Sequence, residues 1–309
     1  MDKWLRDYAD LRVSPKTRER YGQLIKNQIK PNIGLQQLQK LRPVHLTDLY
    51  AKLLKDGLAP RTVNHVHRLL HKALSQGCTW ELVKQNVTSH VEAPRTQPAD
   101  ISILTPKQVG IVLRRVEGRT LRPIAVLGLA TGARRGELLA LRIGDFDPNA
   151  QTIRIERSLE QTKAGLRIKG PKTKHGRRTI ALPPSIAAEL RAYVLKLHEL
   201  RLALGMGRAS NDDLLFPRYD GQIRSPHWLT QKFATLMQAL KIDGVTFHSL
   251  RHTHASQLIA SGMDVLTISR RLGHGSPTIT LSVYGHLFSN TDARAAEIME
   301  ATFADLGTD

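Results

Sequence analysis

The sequence predicts a mainly α-helical chain of two domains, an N-terminal all-helical one and a C-terminal mixed one carrying a small antiparallel β-sheet among helices. Three observations lead there. The 309 residues exceed what one hydrophobic core usually organises. Apolar residues recur at helical spacing along most of the chain, with proline and glycine where helices start and stop. After Gln151 the spacing changes to strict alternation for one short stretch and then changes back.

The first domain is read as residues 1–90. Ser14-Pro15 supplies a cap and a first-turn proline, and Tyr21, Leu24, Ile25 and Ile29 follow at helical spacing. Pro43 opens a second helix bearing Leu46, Leu49, Leu53 and Leu54, closed by Gly57. Pro60 opens a third, with Val63, Val66, Leu70 and Leu74 on one face and Gly77 after it. Its opposite face carries Arg61, His65, Arg68 and Lys72, a basic row that suits either a phosphate backbone or plain solvent. Residues 91–100, with Pro94 and Pro98, read as a linker.

The second domain is read as residues 101–309. Thr105-Pro106-Lys107-Gln108 has the form of a capping box with proline at the first helical position, and periodicity continues through Leu129. Thr152-Ile153-Arg154-Ile155-Glu156 alternates as a strand does, and the run from Gly176 to Leu182 is its candidate partner across a basic loop. Helical patterning returns at Pro184–Leu204 and persists to a tail beginning near residue 290. There is no internal repeat.

Charge narrows the function. Lys and Arg number 46 against 27 Asp and Glu, a net of +19 and a sequence pI near 10.4. The excess is shared, with +9 in residues 1–98 and +10 in the remainder. Both parts therefore favour a polyanion, with nucleic acid ahead of an anionic membrane. A membrane reading needs a basic amphipathic helix or an anchor, and neither is visible. Cys78 is the single cysteine, which excludes an internal disulfide and a cysteine zinc site, and its surroundings suggest packing. His67 and His71 are four apart, but no carboxylate or cysteine accompanies them, so no metal is expected there. The N-terminus MDKWLRDYAD has no apolar signal region, and a cytoplasmic setting is expected.

Breaking a phosphodiester without a metal sets three demands. Cations must meet the non-bridging oxygens, a nucleophile must be activated, and the leaving oxygen must be protonated. Arginine suits the first because its planar fork stays charged and can bond two oxygens at once. Three segments offer such groups: Thr131-Gly132-Ala133-Arg134-Arg135-Gly136-Glu137; His248-Ser249-Leu250-Arg251-His252-Thr253-His254; and Leu272-Gly273-His274, followed ten residues later by Tyr284 in Val283-Tyr284-Gly285-His286. His248 and Arg251, three apart, share a helical face. The basic loop adds Lys169, Lys172 and Lys174.

In this order and spacing the segments resemble the motif boxes of the tyrosine recombinases, the phage-integrase family: TG-x-R-x-x-E, H-x-x-R, L-G-H and Y-G-H. The run Ser14-Pro15-Lys16-Thr17 with Tyr21 is similar to the start of that family's core-binding domain. The resemblance makes the first domain a core-type DNA-binding domain and the second the catalytic domain. It implies that Arg134 and Arg251 clamp the scissile phosphate and that Tyr284 attacks, leaving a 3′-phosphotyrosyl bond and a free 5′-hydroxyl. His248 is then the candidate base and His274 a hydrogen-bond donor to the phosphate. A loop lysine protonates the leaving oxygen, Lys172 fitting the family's loop best with Lys169 and Lys174 close by. Glu137 supports the architecture. His252, His254 and His286 are read as neighbours that pack, cap or touch DNA.

The same resemblance implies double-stranded DNA as substrate and no cofactor. It also implies a homo-tetramer on DNA, assisted by accessory DNA-bending or directionality proteins, in the integration or excision of a mobile element. Beyond Tyr284, the residues Ala295, Ile298, Met299, Phe303 and Leu306 form a stripe that either packs on a neighbouring protomer, as tails do in that family, or on its own domain. Met1 falls at the start of the core-binding domain, so the chain is either a two-domain recombinase or a truncated one. A type IB topoisomerase-like enzyme and a non-catalytic DNA-binding protein on the same fold are the alternatives. A metal-dependent nuclease lacks the clustered carboxylates it would need.

Overall fold

A computed structural model describes residues 1–96, 101–171, 174–288 and 292–305. The chain divides into two compact units, residues 1–100 with 161–165, and residues 101–160 with 166–309.

In the first unit α1 (Asp2–Trp4) and α2 (Asp10–Arg12) are joined by a π-helical turn at Leu5–Ala9. Then come α3 (Pro15–Leu24), α4 (Lys30–Ile33), α5 (Pro43–Lys55) and α6 (Pro60–Thr79). The caps are those the sequence predicts: the Ser14 hydroxyl accepts from the Thr17 amide at 3.3 Å, and Pro15, Pro43 and Pro60 each open a helix. Pro31 has no amide hydrogen to continue the ladder. The backbone loosens into a π-turn over Ile25–Ile29 just before it, and Asn32 satisfies the Gln28 carbonyl at 2.6 Å. Gly77 departs from expectation. It lies inside α6, which runs on to Thr79, with no positive φ at Gly77 and Val83 packed beside it. Leu24, Ile25 and Ile29 close a core with Leu46, Leu49, Leu53, Val63, Val66, Leu70 and Leu74. The opposite face of α6 leaves Arg61, His65, Arg68 and Lys72 exposed. His67 and His71 bond Tyr50 and Asn86 respectively.

The second unit begins with α7 (Pro106–Arg115), where Thr105 and Gln108 exchange both capping-box bonds. The single run expected through Leu129 is two helices. It breaks after Arg115, with Gly118 at positive φ, and resumes as α8 (Leu121–Thr131). This second helix is apolar nearly all round and is accordingly buried, with Gly128 letting Leu138, Phe247 and Leu250 close on it. The short α9 (Arg135–Leu139) follows.

Strands β1 (Phe146–Asp147), β2 (Thr152–Ile155) and β5 (Arg178–Ala181) form an antiparallel sheet in the order β1-β2-β5. Ile153 faces Ile180 in the register, and Ile153, Ile155 and Ile180 are buried. The basic loop between the expected strands holds a further pair, β3 (Ser158–Thr162) and β4 (Gly165–Lys169). Its alternation is too weak to read, because all but one residue of β4 are exposed.

Then follow α10 (Pro184–Ala203), α11 (Pro226–Ala239), α12 (Ser249–Ala260), α13 (Val265–Leu272), α14 (Pro277–Tyr284) and α15 (Asp292–Asp305). A satellite core of Ala255, Ile259, Ile268, Leu272 and Tyr284 ties α12, α13 and α14 together. Among the described residues no helix is long and apolar enough to cross a membrane.

Candidate active site

The three motif segments converge because each is placed by a helix end. Helix α8 stops at Gly132, which takes the left-handed conformation at φ +63°. A side chain there would also meet His254 and Leu272 at 2.7 Å, so the position admits glycine on both counts. The turn delivers Arg134 to the start of α9. There the Glu137 carboxylate accepts the Arg134 amide at 2.8 Å and the Arg134 guanidinium at 2.9 Å. Helix α13 ends in the same way at Gly273, φ +66°, with the His274 amide reaching back to the Ser269 carbonyl at 3.0 Å. A side chain at 273 would strike the Arg178 guanidinium at 2.7 Å. The Gly273 carbonyl also accepts from Arg134 at 3.3 Å, joining the first and third segments.

Arg178 is the residue that sequence reasoning passed over. Its guanidinium donates to Glu137 at 2.8 Å, to the Arg271 carbonyl at 2.7 Å and to the Gly176 carbonyl at 3.1 Å. The signal was present: Arg178 is two residues before buried Ile180, so strand alternation turns a charged side chain toward the core. Glu137 is only 5% exposed. Burial alone would raise its pKa, but Arg178 and then Arg134 outweigh burial and hold it below the usual carboxylate value.

Arg251 lies on the first turn of α12 and is 3% exposed. One arm donates to the Gly132 carbonyl at 2.7 Å. The other, Nη2, is buried and has no partner among the described residues. Burial first, then neighbouring Arg134, lowers its pKa to about 9, which still leaves a cation at neutral pH. A buried cation with one free donor has its bonding completed by an incoming anion.

The histidines divide by environment. His254 is a structural link: Arg271 donates to its Nε2 at 3.1 Å, so the ring proton is on Nδ1, which donates to the Leu129 carbonyl at 2.8 Å. His274 lies 2.8 Å through Nδ1 from the hydroxyl of fully buried Thr280. Desolvation, then Arg251 and Arg134, lower its pKa to about 4, so the ring is neutral at pH 7. His248, just before α12, is exposed, with its ring 4.8 Å from that of His252 and perpendicular to it. Partial desolvation, then His252, Arg251, Arg134 and Arg135, lower its pKa as well.

Tyr284 ends α14, one turn beyond Thr280, and is 1% exposed. Its hydroxyl is 2.8 Å from Nδ1 of His252, not of His248. Desolvation raises the phenol pKa while Arg251 and Arg134 oppose that rise. Sequence spacing gave no hint of the His252 contact, since α12 and α14 meet only in the fold. His286 is exposed.

Of the three candidate lysines, Lys169 is ion-paired with buried Glu160. Lys172 and the side chain of Lys174 lie outside the described residues. On α15 Met299 and Phe303 are exposed, while the side chains of Ala295 and Ile298, and all of Leu306, lie outside the described residues.

Comparison with known proteins identifies the family. The family model described as the phage integrase family matches residues 104–291, and the phage integrase N-terminal SAM-like domain matches residues 1–54. The ICEBs1 integrase of Bacillus subtilis (strain 168) is 26% identical over 265 residues, which is 85% of this chain and 72% of that protein. An integrase of Streptomyces ambofaciens is 29% identical over 304 residues, 93% of this chain and 76% of its own length. Among solved structures, the Tn1549 transposon integrase in complex with transposon right end DNA superposes with a TM-score of 0.80 at 21% identity. That match covers 97% of this chain and 98% of the other. A lambda integrase tetramer bound to a Holliday junction gives 0.64 at 19% identity, over 90% of this chain and 76% of the other. At these identities the structural likeness speaks for the fold.

Proposed function

The chain belongs to the phage integrase family, the tyrosine recombinases, and is a site-specific recombinase; from that premise we propose that it cleaves and rejoins double-stranded DNA through a 3′-phosphotyrosine on Tyr284. The observation that carries the reading is the unpaired, buried Nη2 of Arg251 beside a buried tyrosine whose phenol feels Arg251 and Arg134. Such a constellation offers an anion site and a nucleophile together.

Arg134 and Arg251 clamp the scissile phosphate, the first oriented by Glu137 and the second by the Gly132 carbonyl. The Tyr284 oxygen attacks phosphorus as the bond to the 5′-oxygen breaks, and Lys172 protonates that oxygen. His248 and His274 flank the arginines as neutral rings able to donate to the non-bridging oxygens. The phosphotyrosyl bond keeps the energy of the broken one, so the released 5′-hydroxyl can reverse the step on a new strand. Arg61, His65, Arg68 and Lys72, exposed along α6, hold the backbone of the same duplex. We place the reaction in the cytoplasm, in the integration or excision of a mobile element. Four copies act together on DNA, and the exposed Met299 and Phe303 of α15 give each copy an apolar contact for its neighbour.

Strand exchange separates this reading from simple relaxation. Plasmids carrying paired copies of the DNA segments that flank the chain's own coding sequence would be incubated with the protein. Recombinant circles from at least one segment are expected. Supercoil relaxation by single protein molecules, with no recombinant product from any segment, would contradict it.

A further inference from the structure

The phenol of Tyr284 needs an acceptor for its proton, a role the family resemblance gives to His248. The fold brings a different ring to it. We infer that His252 is the general base of the strand-cleavage step, an inference that rests on Tyr284 being the nucleophile.

The argument is geometric. His252 Nδ1 is 2.8 Å from the Tyr284 hydroxyl, within the reach a proton transfer requires. The two rings stand 5.6 Å apart at 60°, with His252 on α12 and Tyr284 at the end of α14, and the Tyr284 ring packs in the satellite core that joins these helices. Among the described residues the hydrogen bond to that hydroxyl comes from His252, and the His248 ring stands edge-on to His252 at 4.8 Å. Among the described residues, the titratable and charged groups facing the pair are His248 and Arg251 on the His252 side, and Arg251 with Arg134 on the Tyr284 side. Every one is a cation or a neutral ring. Desolvation and then Arg251 keep the His252 pKa below the ordinary value of 6.5, so the ring is free to accept a proton at neutral pH.

The step balances. The phenol proton passes to His252 Nδ1 as the Tyr284 oxygen bonds to phosphorus, the 5′-oxygen departs with a proton from Lys172, and the charge developing on phosphate is met by the two arginines. Rejoining runs the same path backwards: Tyr284 leaves as phenolate and recovers its proton from the His252 imidazolium. His248, edge-on to His252, is left to the phosphate oxygens.

The test compares His252→Ala and His248→Ala for adduct formation on nicked duplexes tiling the DNA that flanks the coding sequence, from pH 6 to 8.5. Wild type should be nearly flat above pH 7. The His252 variant should lose about 10²–10⁴-fold at pH 7, regain rate about tenfold per pH unit, and recover in part with added imidazole. The His248 variant should lose rate with the wild-type profile intact. A flat profile in His252→Ala would overturn the assignment, whether or not His248→Ala turned steep. A second measurement needs no DNA: with 13Cζ-labelled tyrosine, the Tyr284 resonance of the free protein should shift and titrate differently in His252→Ala. An unchanged Tyr284 titration would also overturn it. Adduct persisting in Tyr284→Phe would instead condemn the nucleophile, and the base with it.

Discussion

Arg251→Ala is expected to slow strand cleavage by about 10²–10³-fold, as loss of a preorganised donor to a developing oxyanion does. The reasoning is specific to its position. One arm of the guanidinium is fixed by the Gly132 carbonyl, so the other is held in place before any phosphate arrives. Lysine at this position carries its donors on one nitrogen, so it cannot span the separated positions of the Gly132 carbonyl and the phosphate that the two guanidinium arms reach. Arg251→Lys is therefore expected to behave nearly as badly as alanine. The measurement is single-turnover adduct formation at saturating protein. A rate within a few-fold of wild type would remove Arg251 from the site.

Glu137→Ala is expected to destabilise the second unit by about 3–5 kcal/mol, the usual consequence of breaking a buried ion pair from one side. Arg178, with 7% of its side chain exposed, would keep its charge and lose the carboxylate it pairs with, and the Arg134 amide would lose its acceptor. Glu137→Gln should fall between, since an amide keeps the shape and an acceptor but not the charge. Equilibrium denaturant unfolding reads this directly, and a loss under about 1 kcal/mol would mean Arg178 finds another partner. Cleavage should drop too, because Arg134 is aimed by the same carboxylate.

Much of the candidate site's local framework was legible in the sequence. Gly132 and Gly273 mark two helix ends that need left-handed backbone, and each sets the next residue or two, Arg134 or His274, at the site. Local rules of capping and period were enough for α3, α5, α6, α7 and the β2–β5 pair. What they missed depends on distance in sequence. Arg178 is joined to Glu137 across 41 residues and His252 to Tyr284 across 32, and no spacing rule reaches that far. The β3–β4 pair escaped for a different reason. A strand exposed along most of its length shows no alternation. Gly77 misled because a glycine near a helix end is usually a stop, whereas here it keeps helical backbone and α6 continues to Thr79.

The central claim, that Tyr284 is a covalent nucleophile toward DNA, is tested most directly by trapping the intermediate. Wild type and Tyr284→Phe would be incubated in EDTA with nicked duplexes spanning the flanking DNA, and denatured samples examined for protein joined to DNA. The account predicts an adduct in wild type, absent from Tyr284→Phe, with the phosphate mapped to residue 284. An adduct surviving in Tyr284→Phe, or cleavage that appears only when a divalent metal is restored, would contradict it.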